Sequence, residues 1–210
     1  ADIFYEVLRL TDGQVLFLHD HLLRLQASIS GSGIAYPGDS MIIENLALLV
    51  RENPFQNGNI RISLQGSGRK ETDLHCYFVP YIYPDPEMYR EGVSLHIYPH
   101  VRPNPGIKKW DDQFRKAVSA YVLTHKVYEV VLKNPQNQIT EGSRSNIFFI
   151  DGEDRLITPP SSDVLRGITR KYVLEIASME GLQILEKRMA VEALKDMDAV
   201  FISGTSPKVL

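Results

Sequence analysis

The sequence contains a single cysteine, Cys76, among its 210 residues. One thiol can form neither an intramolecular disulfide nor a cysteine-rich metal site, so we expect packing alone to stabilise the fold. This usage fits a reducing compartment, and we expect a cytoplasmic protein. Long apolar runs are also absent, and the chain does not open with a charged segment followed by an apolar one. The sequence therefore predicts neither a membrane anchor nor a signal peptide.

An excess of positive charge is lacking as well. Lys and Arg number 23 against 26 for Asp and Glu, which gives a net charge of −3. This balance offers no basic footprint for nucleic acid or for an anionic membrane, so we expect a small-molecule partner. The HExxH, GxGxxG, P-loop and GxSxG patterns are missing too. Their absence argues against a metal site, a nucleotide cofactor and a serine nucleophile.

The composition is that of a soluble globular protein, with 43% hydrophobic and 23% charged residues. The length suits one or two domains, and we expect two. The segment YPDPE at 83–87 interrupts the regular pattern, so we place the boundary near residue 88. This gives a small α+β domain over 1–88 and a larger mixed-sheet domain over 89–210. The chain starts inside a strand-like pattern and stops in an apolar stretch, so we expect both natural ends to lie beyond it.

The spacing of apolar residues predicts strands and helices in both halves, which indicates an α/β class. In the first half we expect a hairpin over 3–18, a helix capped by Asp20 that ends before 30–33, a helix over 40–51, and strands over 59–65 and 74–81. In the second half we expect a strand over 93–101, a helix of about 20 residues ending at Lys126, strands over 129–132, 146–150 and 155–158, and helices over 169–179 and 191–195.

Lys108 is the first residue whose sequence context suits a catalytic role. It follows a segment broken by proline and glycine, where an amine can be presented into a cleft. Desolvation lowers the pKa of a lysine and makes it a nucleophile that can form a Schiff base with a carbonyl. An ordinary exposed lysine is the competing interpretation, because Lys109 lies beside it.

Three further polar segments follow. The turn TEGSRSN at 140–146 lies between apolar strands, and its carboxylate can face a buried cation. RGIT at 166–169 opens a helix whose free N–H groups suit a phosphate, and SGTS at 203–206 can add donors. Common turn chemistry and a helix cap at Thr169 explain the same residues without a ligand.

In chain order, these segments resemble the class IV family of pyridoxal-phosphate enzymes, which includes branched-chain aminotransferases, D-amino-acid aminotransferases and aminodeoxychorismate lyases. The resemblance runs nearly end to end. The matching segments are FYEVLR at 4–9, HLLRLQAS at 21–28, NPGIK at 104–108, EGSRSNIF at 141–148, TP at 158–159, LRGITR at 165–170 and FISGTS at 201–206. The resemblance implies an α/β (α+β) protein of fold-type IV with two domains, pyridoxal 5′-phosphate held between them, and a homodimer.

The resemblance also assigns roles to matching residues. It makes Lys108 the catalytic lysine that forms the Schiff base and moves the proton, and Glu141 the partner of the pyridine nitrogen. A carboxylate there stabilises the protonated ring, which then withdraws electrons from the substrate Cα. The other implied cofactor-binding residues are Arg24, Ser145, Asn146, Gly167, Ile168, Thr169, Gly204 and Thr205. The implied substrate contacts are Tyr5, Arg69, Arg144 and Ser206.

Some positions depart from the family pattern. Branched-chain enzymes usually place a tyrosine shortly after the lysine, whereas KWDDQ follows at 109–113, so Arg144 or a water would take over its contact. The Arg-x-His carboxylate trap of D-amino-acid enzymes is not evident after Gly68, and Arg69 is the substitute. Asp111 and Asp112 would disfavour an uncharged lysine if buried, and we expect them to face solvent.

The sequence thus predicts an aminotransferase that moves an amino group between an amino acid and a 2-oxo acid. A lyase that releases pyruvate from aminodeoxychorismate is the alternative with the same lysine and glutamate. A catalytically silent binding module on the same fold is the alternative of another class. Neither nucleic acid nor a membrane is expected as a partner.

Overall fold

The computed structural model describes residues 2–66 and 72–210. The chain divides into two compact units. The first contains the chain up to Ile82 together with Ile107–Trp110, and the second contains Tyr83–Gly106 and Asp111–Leu210. The predicted division near residue 88 did not include the return of Ile107–Trp110 to the first unit. This return matters because the short segment contains Lys108.

The first unit is an antiparallel sheet with strand order β2-β1-β3-β4 and two helices. Its elements within the described residues are β1 Ile3–Thr11, β2 Gln14–Val15, α1 Leu18–Ile29, α2 Asp39–Arg51, β3 Gly58–Gly66 and β4 Thr72–Val79. β1 pairs with β3 so that Leu8 faces Ile60 and Glu6 faces Ile62. Apart from Glu6, this face of the sheet carries apolar side chains, and these pack with Leu22 and Leu25 of α1 in the core of this unit.

The second unit combines parallel and antiparallel pairing. Its elements are α3 Pro86–Glu91, β5 Leu95–Pro99, α4 Asp112–His125, β6 Glu129–Lys133, β7 Gln138–Gly142, β8 Asn146–Asp151, β9 Leu156–Thr158, α5 Ile168–Met179, β10 Ile184–Glu186, β11 Met189–Ala190, a 3₁₀ helix Val191–Asp196, β12 Met197–Gly204 and β13 Lys208–Val209. One sheet has the order β10-β9-β8-β12-β13 and the other β11-β7-β6-β5. β5 and β6 are parallel, as are β9 and β10.

Two details of the predicted helices are wrong. α1 begins at Leu18 after Phe17, so Asp20 lies inside the first turn and does not cap the helix. Its charge still faces the positive end of the helix dipole. α4 has 14 residues and starts only at Asp112, where the Asp111 side chain accepts a hydrogen bond from Phe114 N at 2.9 Å. The preceding residues are extended because Lys109 forms a β-bridge with Phe4.

The described residues, 2–66 and 72–210, lack two kinds of feature. No helix there combines the length and hydropathy needed to cross a bilayer. The same residues contain no group of three or more His, Cys, Asp or Glu side chains placed to hold a metal ion.

Candidate active site

Three charged or ionisable side chains meet inside the first unit. β1 supplies Glu6, and one turn of α1 separates His21 from Arg24. Arg24 donates from Nε to Glu6 Oε1 at 2.7 Å and from Nη2 to Oε2 at 2.6 Å, and His21 Nδ1 lies 2.8 Å from Oε2. Glu6 is 0% exposed, and the Arg24 side chain is 12% exposed. The bidentate contact fixes the plane of the guanidinium group.

The charges in this cluster shift its pKa values. Burial alone would raise the pKa of Glu6, but the Arg24 charge and the hydrogen bonds from Arg24 and His21 lower it to about 2. Burial lowers the pKa of His21, and the Arg24 and Lys108 charges add to this, against the opposing effect of Glu6. The cluster is therefore a carboxylate paired with a guanidinium beside a neutral imidazole.

Lys108 lies on a segment that pairs with β1. Tyr5 N donates to Lys108 O at 3.1 Å, and Lys108 N donates to Ser28 Oγ at 3.1 Å. Lys108 is half-buried, and its Nζ lies 4.8 Å from the centroid of the Tyr5 ring. This lysine is therefore held by backbone contacts on both sides and points its amine at an aromatic face, unlike Lys109, which is exposed and pairs with Asp2 at 2.8 Å.

Arg61 is a residue of this region that the sequence reasoning missed. Its guanidinium carbon lies 4.4 Å from the centroid of the Tyr5 ring and 4.2 Å from that of Trp110. The two rings meet edge to face at 5.5 Å. β3 presents Arg61 and Ser63 on the same face as Tyr5, because residues two apart in a strand share a face. The two-residue spacing is visible in the sequence, but only the pairing of β1 with β3 places Tyr5 opposite Ser63 and therefore beside Arg61 on this face.

In the second unit, Glu141 lies near the end of β7 and is 2% exposed. Its Oε2 accepts a hydrogen bond from Leu165 N at 3.2 Å, and its Oε1 lies 3.0 Å from Arg102 Nε. Arg115 Nη1 donates to Ser143 O at 2.8 Å. Positive side chains therefore surround the polar turn that follows Glu141, as expected for a buried carboxylate.

Glu129 is a second buried carboxylate at this turn, and the sequence reasoning did not identify it. It is 4% exposed, and it accepts hydrogen bonds from Ser143 Oγ at 3.0 Å, from Ser145 Oγ at 2.9 Å and from Arg144 N. Burial raises its pKa, although these hydrogen bonds and the Arg144 charge oppose the shift. The hydroxyl of Ser145, predicted to bind the cofactor, thus donates to Glu129.

Asn146 connects the other two polar segments. Its Nδ2 donates to Leu165 O at 2.8 Å, and a Cβ placed on Gly167 would overlap Asn146 Oδ1. β12 pairs with β8 so that Ser203 lies opposite Asn146. The segments 141–146, 165–169 and 203–206 therefore meet around one side chain.

The start of α5 is left open by its own side chains. Gly167 is the N-cap residue and provides no side-chain hydrogen bond, so Thr169 does not cap the helix. Nearby, Ser203 Oγ is buried, and in the described part of the chain it has no hydrogen-bond partner. Buried hydroxyls are normally satisfied, so this one suits a ligand oxygen or an ordered water.

The remaining predicted residues divide between the units. Arg24, Tyr5 and Lys108 belong to the first, whereas Glu141, Ser145, Asn146, the 167–169 segment, Gly204, Thr205 and Ser206 belong to the second. Thr205 is half-buried and Ser206 is buried, but Arg144 is exposed. Asp111 and Asp112 are exposed, as expected. Arg69 lies outside the described residues.

Comparison with known proteins supports one family. The family described as amino-transferase class IV matches residues 3–210. A D-alanine aminotransferase from Staphylococcus epidermidis is 26% identical over 225 residues, which cover 100% of this chain and 78% of that protein. A probable branched-chain-amino-acid aminotransferase from Rickettsia conorii is 26% identical over 221 residues, which cover 98% and 74%.

The solved structures agree on the fold. A Legionella pneumophila protein, provisionally assigned as a 4-amino-4-deoxychorismate lyase, has a TM-score of 0.87 to this chain at 19% identity, covering 99% of this chain and 80% of its own. This confirms the α/β architecture of fold-type IV that the motifs predicted. The match of the family over residues 3–210 shows that the chain belongs to the class IV aminotransferases.

Proposed function

We propose that this class IV aminotransferase works with pyridoxal 5′-phosphate and that Lys108 is the residue that attaches it. When bound, the cofactor supplies an aldehyde that condenses with amines and a ring that draws electron density from the substrate carbon. The observation that carries the proposal is the meeting of three polar segments at Asn146, with a buried Glu141 and an uncapped α5 beside it.

The donors at this meeting point fit a phosphate. The amides of Ile168 and Thr169 lie at the positive end of α5, and Gly167 supplies no competing side-chain cap. Gly204 and Thr205 follow Ser203, whose buried hydroxyl needs an acceptor or donor. These groups supply hydrogen bonds without positive side-chain charge. We propose, as the family resemblance implies, that Arg24 supplies the charge, with its guanidinium plane fixed by the bidentate contact with Glu6.

Lys108 and Glu141 have different proposed tasks. Lys108 Nζ takes the proton from the substrate Cα and returns it, as a positioned amine can in general acid–base catalysis. Glu141 holds positive charge at the pyridine nitrogen, for which a buried carboxylate is well suited. Tyr5 limits how the Lys108 side chain can move, because its ring lies against the amine.

We propose an amino acid and a 2-oxo acid as substrates. Both carry a carboxylate, and Arg61, stacked on Tyr5 and Trp110, is a cation of the kind that binds one. Ser206 and Arg144 remain proposed contacts in the second unit, and Arg69 remains a prediction. The named relatives act on different classes of amino acid, so L- and D-substrates both belong in the test, together with aminodeoxychorismate for the lyase alternative.

The first experiment tests the lysine. Purified protein is mixed with pyridoxal 5′-phosphate, desalted, and examined by visible absorbance before and after borohydride. We expect a retained band that borohydride removes, and we expect Lys108→Ala to lose it. Lys109→Ala is the matched control and should keep the band, because Lys109 is exposed and paired with Asp2.

The outcomes separate the alternatives. A colourless but folded wild-type protein would reject both the aminotransferase and the lyase chemistry and would favour a silent binding module. A borohydride-sensitive band that persists in Lys108→Ala would reject Lys108 as the attachment site. If the band behaves as expected, 2-oxo acid-dependent consumption of an amino acid supports transamination, whereas pyruvate release from aminodeoxychorismate supports the lyase reaction.

A further inference from the structure

Glu129 belongs to none of the motifs that resemble the family, yet it is the acceptor at the centre of the polar turn. It opens β6, and its side chain reaches across to residues 142–145. Oε1 accepts from Ser143 Oγ and Arg144 N, and Oε2 accepts from Ser145 Oγ. Both serine hydroxyls of the turn are therefore directed at this one carboxylate.

The turn is closely fitted around that carboxylate. A Cβ placed on Gly142 would lie 3.0 Å from Glu129 Oε1 and would overlap Ser145 Oγ. Glycine is required at position 142 because the Ser145 hydroxyl and the Glu129 carboxylate lie so close to its backbone that any side chain there would displace one of them. The pattern Gly-Ser-Arg-Ser is accounted for by packing onto Glu129.

Glu141 precedes this turn directly. Its carboxylate contacts Leu165 N and Arg102 Nε, so its position depends on where the turn begins. A shift of the turn by a fraction of an ångström would disturb both contacts, because buried side chains have little space in which to readjust. Glu129 contacts the turn through three hydrogen bonds, and Arg115 Nη1 donates to Ser143 O as well.

We propose that Glu129 is a positioning residue, which holds the turn 142–145 by the length and the hydrogen-bonding oxygens of its side chain and thereby keeps Glu141 in place. The consequence for catalysis rests on the proposed function, in which Glu141 faces the cofactor ring. The positioning itself is a property of the chain alone. Burial raises the pKa of Glu129, so the site opposes its charge, in agreement with a role that depends on shape and hydrogen bonds.

Two substitutions distinguish the effect of the length of the Glu129 side chain from the effect of its charge. Glu129→Gln keeps the length and one acceptor oxygen for Ser143 and Arg144, and the Ser145 hydroxyl can rotate to accept from the new amide. Glu129→Asp keeps the charge, but it is one methylene too short to reach the turn. We therefore expect Gln to preserve the function of Glu129 and Asp to lose it, as Ala would.

The first readout needs no cofactor. Hydrogen exchange of the Leu165 amide, followed by NMR on the full chain, reports directly on the bond to Glu141. We expect wild type and Glu129→Gln to agree within a few-fold, and Glu129→Asp and Glu129→Ala to exchange at least ~10-fold faster. The second readout is the dissociation constant of pyridoxal 5′-phosphate, which we expect to rise about 10- to 100-fold in the same two variants, by analogy with the loss of hydrogen bonds that support the ligands of metal sites.

Two controls distinguish the loss of the Glu129 contacts from a general loss of stability. Asp151→Asn alters another buried carboxylate, which holds the turn after β8 through Glu153 N and Arg155 N at 3.2 and 3.1 Å. It should leave Leu165 exchange and cofactor affinity unchanged. The double variant Ser143→Ala with Ser145→Ala removes two of the three donors and leaves Arg144 N, so Leu165 exchange should accelerate in the same direction as in Glu129→Ala, which keeps the proposal testable if Glu129→Ala does not fold.

Three results would overturn the proposal. They are wild-type Leu165 exchange in both Glu129→Ala and the double serine variant, an effect of Gln as large as that of Ala, and an equal effect of Asp151→Asn. If wild type itself retains no pyridoxal 5′-phosphate, the proposed function fails, while Leu165 exchange still decides whether Glu129 positions the turn.

Discussion

At the scale of single residues, Glu6 shows how this protein stabilises buried charge. Complete burial of an unpaired carboxylate would make folding less favourable, but Arg24 binds both oxygens of Glu6 and His21 contacts one of them. The resulting pKa of about 2 is far below the ordinary 4.5. Because the folded-state pKa is the lower one, Glu6 stabilises the fold above pH 4.5, and this stabilisation is lost as the pH falls toward 2.

This predicts the acid response of Glu6→Gln. A shift from 4.5 to about 2 corresponds to about 3 kcal/mol of unfolding free energy, of which about 2 kcal/mol is lost between pH 5 and pH 3. We expect Glu6→Gln to be less stable by about 3 kcal/mol near neutral pH, since Arg24 keeps its charge without a partner of opposite sign. Its unfolding free energy, measured in urea at pH 5 and pH 3, should show a correspondingly smaller decrease.

The control is an ion pair nearer the surface than that of Glu6 and Arg24. Asp163 pairs with Arg188, whose side chain is 59% exposed. Asp163→Asn should change the unfolding free energy by less than about 1 kcal/mol. A Glu6→Gln protein with the same pH dependence as wild type would show that the Glu6 carboxylate does not set the acid response.

At the scale of elements, close packing of backbone against side chains brings the polar segments together. β8 carries Asn146, β12 lies beside it, and the loop before α5 is attached through Leu165 O. Gly167 permits this attachment because Asn146 Oδ1 occupies the space that a side chain would need. The start of α5 is therefore located by contacts with a neighbouring strand, in addition to the hydrogen bonds of the helix itself.

Gly167→Ala tests this contact. The added methyl group must displace Asn146 or the loop, and we expect a loss of about 1–3 kcal/mol in unfolding free energy. Retention of pyridoxal 5′-phosphate after desalting should also fall, because the amides at the start of α5 would move. Thermal or urea unfolding and the visible spectrum check the two effects.

Gly152→Ala is the matched substitution. A Cβ there meets only Asp198 Oδ2, at an ordinary 3.8 Å, so stability and cofactor retention should stay close to wild type. Equal losses in the two variants would indicate a general cost of replacing glycine and would contradict the role given to Gly167.

At the scale of the whole molecule, the chain passes between its two units more than once. It leaves the first unit after Ile82, returns for Ile107–Trp110, and leaves again at Asp111. Within the first unit this return is secured by the bond from Trp110 N to Ile3 O at 2.8 Å. The proposed catalytic lysine therefore depends on an association with β1, about 100 residues earlier in the chain, which adds a loop-closure cost.

The assembly predicted from the family resemblance is a homodimer, and this remains a proposal. Light scattering after size exclusion should give about twice the mass of one chain, and dilution should leave this value unchanged if the interface is of the obligate kind. A mass of one chain throughout the accessible concentrations would contradict it. Cell fractionation tests the proposed cytoplasmic location.

The family and most of the helices and strands could be predicted from local patterns in the sequence. Motifs such as EGSRSNIF and LRGITR are local and ordered along the chain, so they can be read without knowing which segments touch. The helices over 40–51 and 169–179 and the strands over 59–65 and 146–150 were also predicted, because hydrophobic period is a local property. The predicted capping of α1 was wrong, since Phe17, in a left-handed conformation, is the N-cap residue and the helix begins three residues earlier than a cap at Asp20 would allow.

Which side chains contact the motifs became clear only once the paired strands were seen. In the sequence, Glu129 and Arg61 resemble ordinary charged residues of strands. The hydrogen-bond donors to Glu129 lie 14 to 16 residues further along the chain. Arg61 contacts the rings of Tyr5 on β1 and of Trp110. The sequence also could not show that Ser145 donates to Glu129 or that Asn146 binds Leu165 O. Such contacts are non-local, and the free energy that selects them comes from burying polar groups with satisfied hydrogen bonds, which exists only once the strands have paired.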